Sequence, residues 1–425
     1  MPKTPATAIW LLILTVALAL RLGAGVWWQA RLPAGDKFLF ADSLSYWSLA
    51  RQIADGGAYQ YDSPDYRVFR TPGYPLLLAG LFRVFGGEPP VMWARALSAA
   101  WGTLAVGLVG WWTTQLFDAR AGRVAGWIAA LYPGSASMGA LVLSEATFCP
   151  WMLGELVLWG LAWRAGSSSR SAGLAAGAGA CGAIATLVRP SWLLFTPFAI
   201  IAALVIAPQR GRQLVIGGAL CVGLVAGMLP WWLRNAEVTG RFVPTTLQVG
   251  ASLFDGLNPA ADGGSNMDFV PRFTAEERLA EGGASQADTF EYRLDRRLAG
   301  AAVAWARANP GRAVELAGIK FLRTWNVWPN ESSFRAWPLR LVVLATYTPL
   351  LALALVGIWR FTRRGWPYVL AWLPAVYFTL LHMVFVGSIR YREPAMLGLI
   401  VLAAGLLAAG EHKTPEADGK ARAAA

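Results

Sequence analysis

Apolar residues run through this chain in long unbroken stretches, without the alternation of strands or the narrow stripes of a soluble core. Stretches near the ~20 residues that cross a hydrocarbon core fall at 8–28, 91–117, 124–142, 144–163, 173–188, 191–207, 214–233, 338–359, 366–386 and 394–409. The pattern predicts an all-α polytopic membrane protein with about ten transmembrane helices. Residues 74–85 form a shorter apolar segment with Arg83 near its end, of the kind that lies at the interface. The first span follows a single lysine and shows no convincing small-residue cleavage site, so it reads as a retained anchor, with a cleaved signal peptide as the alternative.

Polar positions fix the expected orientation. With 74–85 on the surface and the N-terminus inside, the short loops carrying Arg120/Arg123, Arg164/Arg170, Arg210/Arg212 and Arg360/Arg363/Arg364 all become cytoplasmic, as the positive-inside rule requires. Four regions follow: 1–234, an N-terminal transmembrane module with a first outer loop at 28–90; 235–337, an extracytoplasmic and mostly helical domain between spans seven and eight; 338–410, the C-terminal spans; and 411–425, a polar, disordered cytoplasmic tail. The expected location is the plasma membrane, multi-pass, with both termini in the cytoplasm.

Within the outer loop, Leu44, Trp47, Leu49, Ala50 and Ile53 have helical spacing and stop at Gly56-Gly57, which places Asp42 at the N-cap. Within the outer domain, 257–266 reads as irregular. A helix is predicted from about Ala287 to Asn309, with Ser285 and Asp288 at its start and Phe290, Leu294, Leu298 and Trp305 on one face. A second helix, 312–328, carries Val314, Phe321 and Trp325 on its apolar side. Asn330-Glu331-Ser332 matches the glycosylation pattern, which has meaning only in a eukaryotic secretory route.

Composition narrows the chemistry. The 425 residues are 56% hydrophobic with a mean hydropathy of +0.44, too apolar for an ordinary soluble enzyme. The 22 tryptophans suit a water–lipid interface. The net charge of +12 sits in short loops between spans, so no nucleic-acid partner is expected. Cys149, Cys181 and Cys221 lack metal or disulfide spacing, and His382 and His412 are the only histidines, which excludes chemistry built on paired histidines.

What remains is charge at the outer ends of the spans: Asp42, Arg70, Glu145, Arg189, Arg234, Arg390 and Arg392, with Tyr74 and Tyr391 beside them. Interfacial arginines commonly anchor to headgroups. Arg390 and Arg392, two residues apart and next to Pro394, are the better candidates for a phosphate. Asp42 reads either as a helix cap or as a general base, and the two roles are compatible. Glu155 lies inside a span without an identifiable partner, and Arg21 is another charge at depth. A polyprenyl-phosphate sugar suits an acid and arginines at the outer leaflet. Its phosphate leaves with charge stabilisation, the acceptor hydroxyl needs a base, and one base acting in line inverts the anomeric centre.

Asp42 with Tyr46 and Ala50, Arg70-Thr71-Pro72-Gly73-Tyr74-Pro75, Ser144-Glu145, Pro230-Trp231-Trp232-Leu233-Arg234-Asn235 and Arg390-Tyr391-Arg392 together resemble the integral-membrane glycosyltransferases of the GT-C superfamily. The nearest branch holds bacterial protein mannosyltransferases, aminoarabinose transferases and Rgt-type lipopolysaccharide sugar transferases. The resemblance implies a lipid-phosphate sugar donor and juxtamembrane helices roofing the site. It implies Asp42 as the base, Glu145 as a second catalytic acid, and Arg70, Tyr74, Arg189, Arg234, Arg390, Tyr391 and Arg392 around substrate and phosphate. The chain departs from many relatives in Ser43, where a second acid commonly follows the aspartate, and in Thr71, where aminoarabinose-type relatives carry a lysine. No cofactor is expected, since the lipid-linked sugar is a substrate, and no second ligand near Asp42 supports a metal. The expected partners are membrane lipid, the polyprenyl-phosphate sugar donor and an extracytoplasmic acceptor of unspecified class. A flippase or a non-catalytic polyprenyl-phosphate-binding protein is the alternative, but transporters favour repeats and mid-membrane ion sites.

Overall fold

The structure, a computed structural model, describes residues 5–207, 209–280, 288–328 and 336–409. Ser285, Asn330-Glu331-Ser332 and the tail from Glu411 lie outside them. Among the described residues there is no strand; the chain is built from seventeen α-helices and short 3-10 turns.

Seven helices are long and apolar enough to cross a bilayer. They are α1 (Pro5–Gln29), α4 (Val91–Leu116), α8 (Ser168–Val188), α10 (Arg210–Thr239), α15 (Trp337–Phe361), α16 (Trp366–Val384) and α17 (Ile389–Ala409). The other three expected spans take different forms. α7 (Glu145–Arg164) has the length, but buried Glu155 and Pro150 dilute its apolarity. The span at 191–207 is a 3-10 turn, Pro190–Trp192, followed by the twelve-residue α9 (Phe195–Ile206).

The span at 124–142 is broken into α5 (Ala119–Leu131) and α6 (Pro133–Ala140). Pro133 has no N–H to give, so carbonyls at the end of α5 lose their helical donor. Arg21 of α1 replaces it. Its guanidinium donates to Ala129 O at 3.2 Å, to Ser135 Oγ at 2.6 Å and, within α1, to Ala17 O at 2.9 Å. The charge at depth is therefore a helix cap. Arg95 of α4 does the same at the other end of α6, donating to Ala140 O and, through Nη2, to Gln29 Oε1 at 2.8 Å.

α8 packs between α7 and α10. Glycines on both α8 and α10 explain how close these two helices come: a Cβ on Gly179 or on Gly223 would collide with a carbonyl of the facing helix. α17 is the most enclosed span and touches α4, α5, α15 and α16.

At one end of the bundle, α2 (Ala41–Ala54) and α3 (Gly73–Phe85) form a hairpin over the helices. Gly73 lets the start of α3 reach the end of α8, since a Cβ there would meet Leu187 O at 2.7 Å. The outer domain comprises α11 (Val249–Gly256), α12 (Val270–Ala280), α13 (Phe290–Ala308) and α14 (Pro310–Trp325), with irregular chain at 257–269. Phe290, Leu294 and Leu298 of α13 are buried, and Ala302 rather than Trp305 completes the face. α14 corrects its expected packing: Leu316, Lys320 and Thr324 are buried, whereas Val314 and Phe321 are exposed. Two of the three expected apolar positions thus face outward, while Trp325 packs against the core with its Nε1 donating to Thr379 Oγ1 at 2.8 Å.

Candidate functional site

Asp42 stands in the first turn of α2, and Phe40, not Asp42, occupies the N-cap. Its carboxylate turns away from the helix backbone toward two guanidiniums. Arg70 Nη2 donates to Oδ1 at 2.6 Å and Arg390 Nη2 to Oδ2 at 3.2 Å. Two charge-assisted bonds outweigh the amide contact of a cap. Ser45, one turn on, accepts from Arg70 Nε at 3.1 Å and donates to Asp42 O at 2.8 Å, so α2 orients both members of the pair.

The network continues inward. Arg390 Nε lies 2.7 Å from Glu145 Oε1, and Arg189 Nη1 lies 2.9 Å from the same oxygen. Glu145 is 2% exposed at the start of α7, whereas the Asp42 side chain keeps 35% of its surface open. The two carboxylates face three guanidiniums, Arg70, Arg189 and Arg390, leaving one positive charge unmatched within the cluster. Burial pushes the Asp42 carboxyl upward, but Arg70 and Arg390 together outweigh it and hold the group well below the usual carboxylate range. Tyr391 is sandwiched in this region: its ring stacks on His382 at 4.1 Å, with the Arg189 and Arg390 guanidiniums 5.5 and 5.3 Å from its centre.

Asp42, Ser45, Arg70, Glu145, Arg390 and Tyr391 line one cavity of about 980 Å³. Its membrane-level wall is apolar, with Trp27 and Trp28 of α1 and Leu339, Val342 and Val343 of α15. Its outer wall comes from the first loop and from α13, and Arg323 of α14 also lines it.

The remaining expected site residues are not used in this way. Tyr74 is buried behind Tyr46, edge-on at 5.1 Å, and does not line the cavity. Arg189 does not line the cavity and reaches the site through its ion pair with Glu145 and its place beside the Tyr391 ring. Arg234 clamps the outer loop from behind, donating to Arg67 O at 2.8 Å and Tyr59 O at 3.1 Å. Arg392 parts company with Arg390. It is 1% exposed and donates to Thr324 O at 3.1 Å and to Asn326 O, closing the end of α14, while its guanidinium lies 3.6 Å from the Tyr347 ring centre. Two residues further round α17, Arg392 still borders the cavity, but its N–H groups are given to the backbone of the neighbouring helix.

Glu155 now has its partners. Oε2 accepts from Trp192 Nε1 at 2.6 Å and Oε1 from Thr196 Oγ1 at 2.7 Å. This bond pair pins the Pro190–Trp192 turn directly after Arg189.

Sequence reasoning passed over Phe69, Glu291, Asp295 and Arg323 in the cavity wall. The i, i+4 spacing of Glu291 and Asp295 on the polar side of α13 was the available signal; for Phe69 and Arg323 there was none. Among the described residues no three His, Cys, Asp or Glu side chains converge as a metal set, and Asp42 and Glu145 already face guanidiniums.

No family model matches the chain, and no curated protein matches it by sequence. Solved structures do. The archaeal oligosaccharyltransferase AglB from Archaeoglobus fulgidus, in complex with an inhibitory peptide and a dolichol-phosphate, is similar at a TM-score of 0.60 and 15% identity over 96% of this chain and 50% of its own. The apo form of the Archaeoglobus fulgidus oligosaccharyltransferase is similar at 0.60 and 14%, over 96% of this chain and 51% of its own. ArnT from Cupriavidus metallidurans bound to undecaprenyl phosphate is similar at 0.46 and 17%, over 94% and 78%. The chain spans about half the length of the oligosaccharyltransferase chains it matches. At these identities the likeness is one of fold alone, the polytopic helical fold of the oligosaccharyltransferase chains.

Proposed function

We propose that the protein is an inverting glycosyltransferase that moves a sugar from a polyprenyl-phosphate donor to a hydroxyl of an extracytoplasmic acceptor. The observation that carries this reading is Asp42, held between Arg70 and Arg390 at the wall of a cavity whose membrane-level side is apolar. The fold shared with lipid-linked-sugar transferases supports the general kind of reaction. The arginine-bearing loops support an outward-facing site in the plasma membrane.

The charges suit each step. The donor's tail lies against α1 and α15, and its phosphate meets the unmatched positive charge of the cluster. An arriving phosphate competes for Arg390 and Arg70. As either guanidinium turns to it, Asp42 loses a stabilising partner and its proton affinity rises toward that of a working base. Asp42 then takes the proton of the acceptor hydroxyl. The acceptor oxygen bonds to the anomeric carbon from the face opposite the phosphate, the C–O bond to phosphate breaks, and the polyprenyl phosphate leaves with its charge held by Arg390 and Arg70. Glu145, too enclosed to meet substrate easily, keeps Arg390 and Arg189 in place. Arg323 adds a further positive charge at the wall. No metal step is needed, because the guanidiniums supply the charge stabilisation.

The test is sugar transfer by the purified chain from lipid-linked donors extracted from its own membranes, with undecaprenyl phosphate binding measured alongside. Asp42→Asn is expected to stop transfer and to retain binding. Turnover that survives in Asp42→Asn overturns the base assignment. Movement of intact lipid-linked sugar across a vesicle membrane without transfer supports the flippase instead.

A further inference from the structure

The cavity wall built from the first loop and the outer domain carries chemistry opposite to that of the arginines. Glu291 and Asp295 stand one turn apart on α13, and Asp62 joins them from the loop; all three line the cavity. Glu291 is 97% buried: Oε2 accepts the Arg67 and Val68 amides at 2.8 and 2.9 Å, and Oε1 is left without a partner. Asp295 accepts the Gly250 amide at 2.6 Å through Oδ1, and the charge nearest its Oδ2 is Arg296 at 3.8 Å. Asp62 is exposed and holds a φ of 62°, in a loop closed by the Tyr61 amide on Tyr66 O at 2.8 Å.

An aromatic step connects this wall to the reacting end. Tyr61 lies parallel to Phe69, with ring centres 4.6 Å apart and planes 9° from one another. The Arg70 guanidinium sits 5.1 Å from the Phe69 centre, and Arg70 holds Asp42. From Tyr61 to the proposed base is therefore three contacts.

We propose that this wall is the acceptor subsite and that the acceptor is a carbohydrate, its ring seated on the face of Tyr61 that Phe69 leaves open and its hydroxyls bonded to Asp62 and directed toward the unpartnered Oε1 of Glu291 behind it. The inference rests on the transferase reading, since it assigns the second substrate of that reaction. The C–H face of a sugar ring is apolar and carries slight positive charge, which suits the negative face of an aromatic ring. Its hydroxyls donate to carboxylates and complete the polar atoms the wall leaves open. Three carboxylates disfavour a phosphorylated or otherwise anionic acceptor group at this point, and keep it distinct from the arginines that take the donor phosphate. A peptide acceptor would ordinarily seek a sheet edge, an apolar groove for a helix or a backbone nest. Here the wall is helical and acidic, and no strand exists among the described residues. The oligosaccharide-to-peptide chemistry of the structurally similar protein thus does not extend to this wall.

Saturation-transfer NMR on the full chain in nanodiscs tests the proposal. The probe is a mixture of methyl α-glucopyranoside, methyl α-galactopyranoside and methyl α-mannopyranoside, measured against a tetrapeptide bearing serine and threonine. At least one glycoside is expected to take up saturation, with binding about tenfold weaker in Tyr61→Ala and weakened in Asp62→Asn, an exposed position whose replacement leaves the fold intact. Tyr61→Phe, which keeps the stack, is expected to restore binding. Failure of every glycoside to take up saturation overturns the proposal, as does a signal unchanged in both Tyr61→Ala and Asp62→Asn. Uptake by the peptide alone assigns a peptide acceptor and overturns it equally. The donor side is read separately in the same nanodiscs: undecaprenyl phosphate binding that survives while the glycosides fail leaves the transferase standing without this subsite. Turnover in Asp42→Asn brings down the transferase itself.

Discussion

Two groups of buried arginines divide this molecule. Arg21, Arg95 and Arg392 give their N–H groups to backbone carbonyls at the ends of α5, α6 and α14, where a break in the helix leaves those carbonyls without a donor. Arg70, Arg189 and Arg390 give theirs to the carboxylates of Asp42 and Glu145. The first group holds helices together within the bundle; the second concentrates charge at a cavity. Both are guanidiniums in or beside apolar runs, and Arg390 and Arg392 are two residues apart. What separates them is the partner: a backbone carbonyl in the first group, a carboxylate at the cavity in the second.

Substitutions should split along the same line. The largest effect is expected for Asp42→Asn, which removes the base and lowers transfer by about 10²–10⁴-fold, with the unfolding temperature in detergent unchanged or raised. Next comes Arg390→Lys. Losing one charge-assisted hydrogen bond of about 1.5–3 kcal/mol should lower transfer by roughly ten- to a hundredfold. Arg392→Met should do the reverse. It orphans the carbonyls of Thr324 and Asn326, at about 1–3 kcal/mol each, and shows as a lower unfolding temperature with residual activity per folded molecule intact. If Arg392→Met silenced transfer without loss of stability, or Arg390→Lys unfolded the protein, the division would be broken.

Glu155→Gln sharpens the boundary, because Glu155 is a buried carboxylate with neutral partners. The amide can accept from only one of Trp192 and Thr196, so about 1–3 kcal/mol of stability is at stake. A partial fall in transfer is expected as the turn after Arg189 loosens. In an Arg189→Ala background that catalytic fall should vanish.

The smallest effect concerns pH. Burial pushes Glu291 from its ordinary 4.5 up to about 7, against the lowering effect of the Val68 and Arg67 amides. The folded protein therefore binds more protons at this site than the unfolded chain between pH 4.5 and 7. The stability this contributes is fully present below pH 4.5 and fades as the pH rises to about 7. Glu291→Gln, which fixes the neutral form, should flatten that dependence in thermal unfolding.

Much of this was written in the order of residues. Runs of apolar side chains long enough to span a bilayer specify helices, because backbone polar groups in hydrocarbon must be satisfied within their own segment. That rule gave the seven long spans, the outer domain between α10 and α15, and the short α3 lying apart from them. Charges confined to the ends of the runs marked Asp42, Glu145, Arg70 and Arg390 as candidates, since each would be costly anywhere but at an interface or against a partner.

What the linear chain could not contain is who meets whom. Asp42 and Arg390 are separated by nearly the whole sequence, and their bond exists only because α2 folds over the start of α17. The break at Tyr132-Pro133 was visible as a proline but not as a break, because its rescue by Arg21 depends on α1 packing beside α5. Of the apolar side expected for α14, Trp325 packs inward but Val314 and Phe321 do not, since a hydrophobic stripe states a preference for leaving water and does not say whether protein or lipid receives it. Local composition determines which segments enter the bilayer and which residues are charged. Only packing decides which of those charges are consumed in holding helices together and which remain to act on a substrate, because hydrogen bonds between distant segments are short-ranged and form after the helices have found their neighbours.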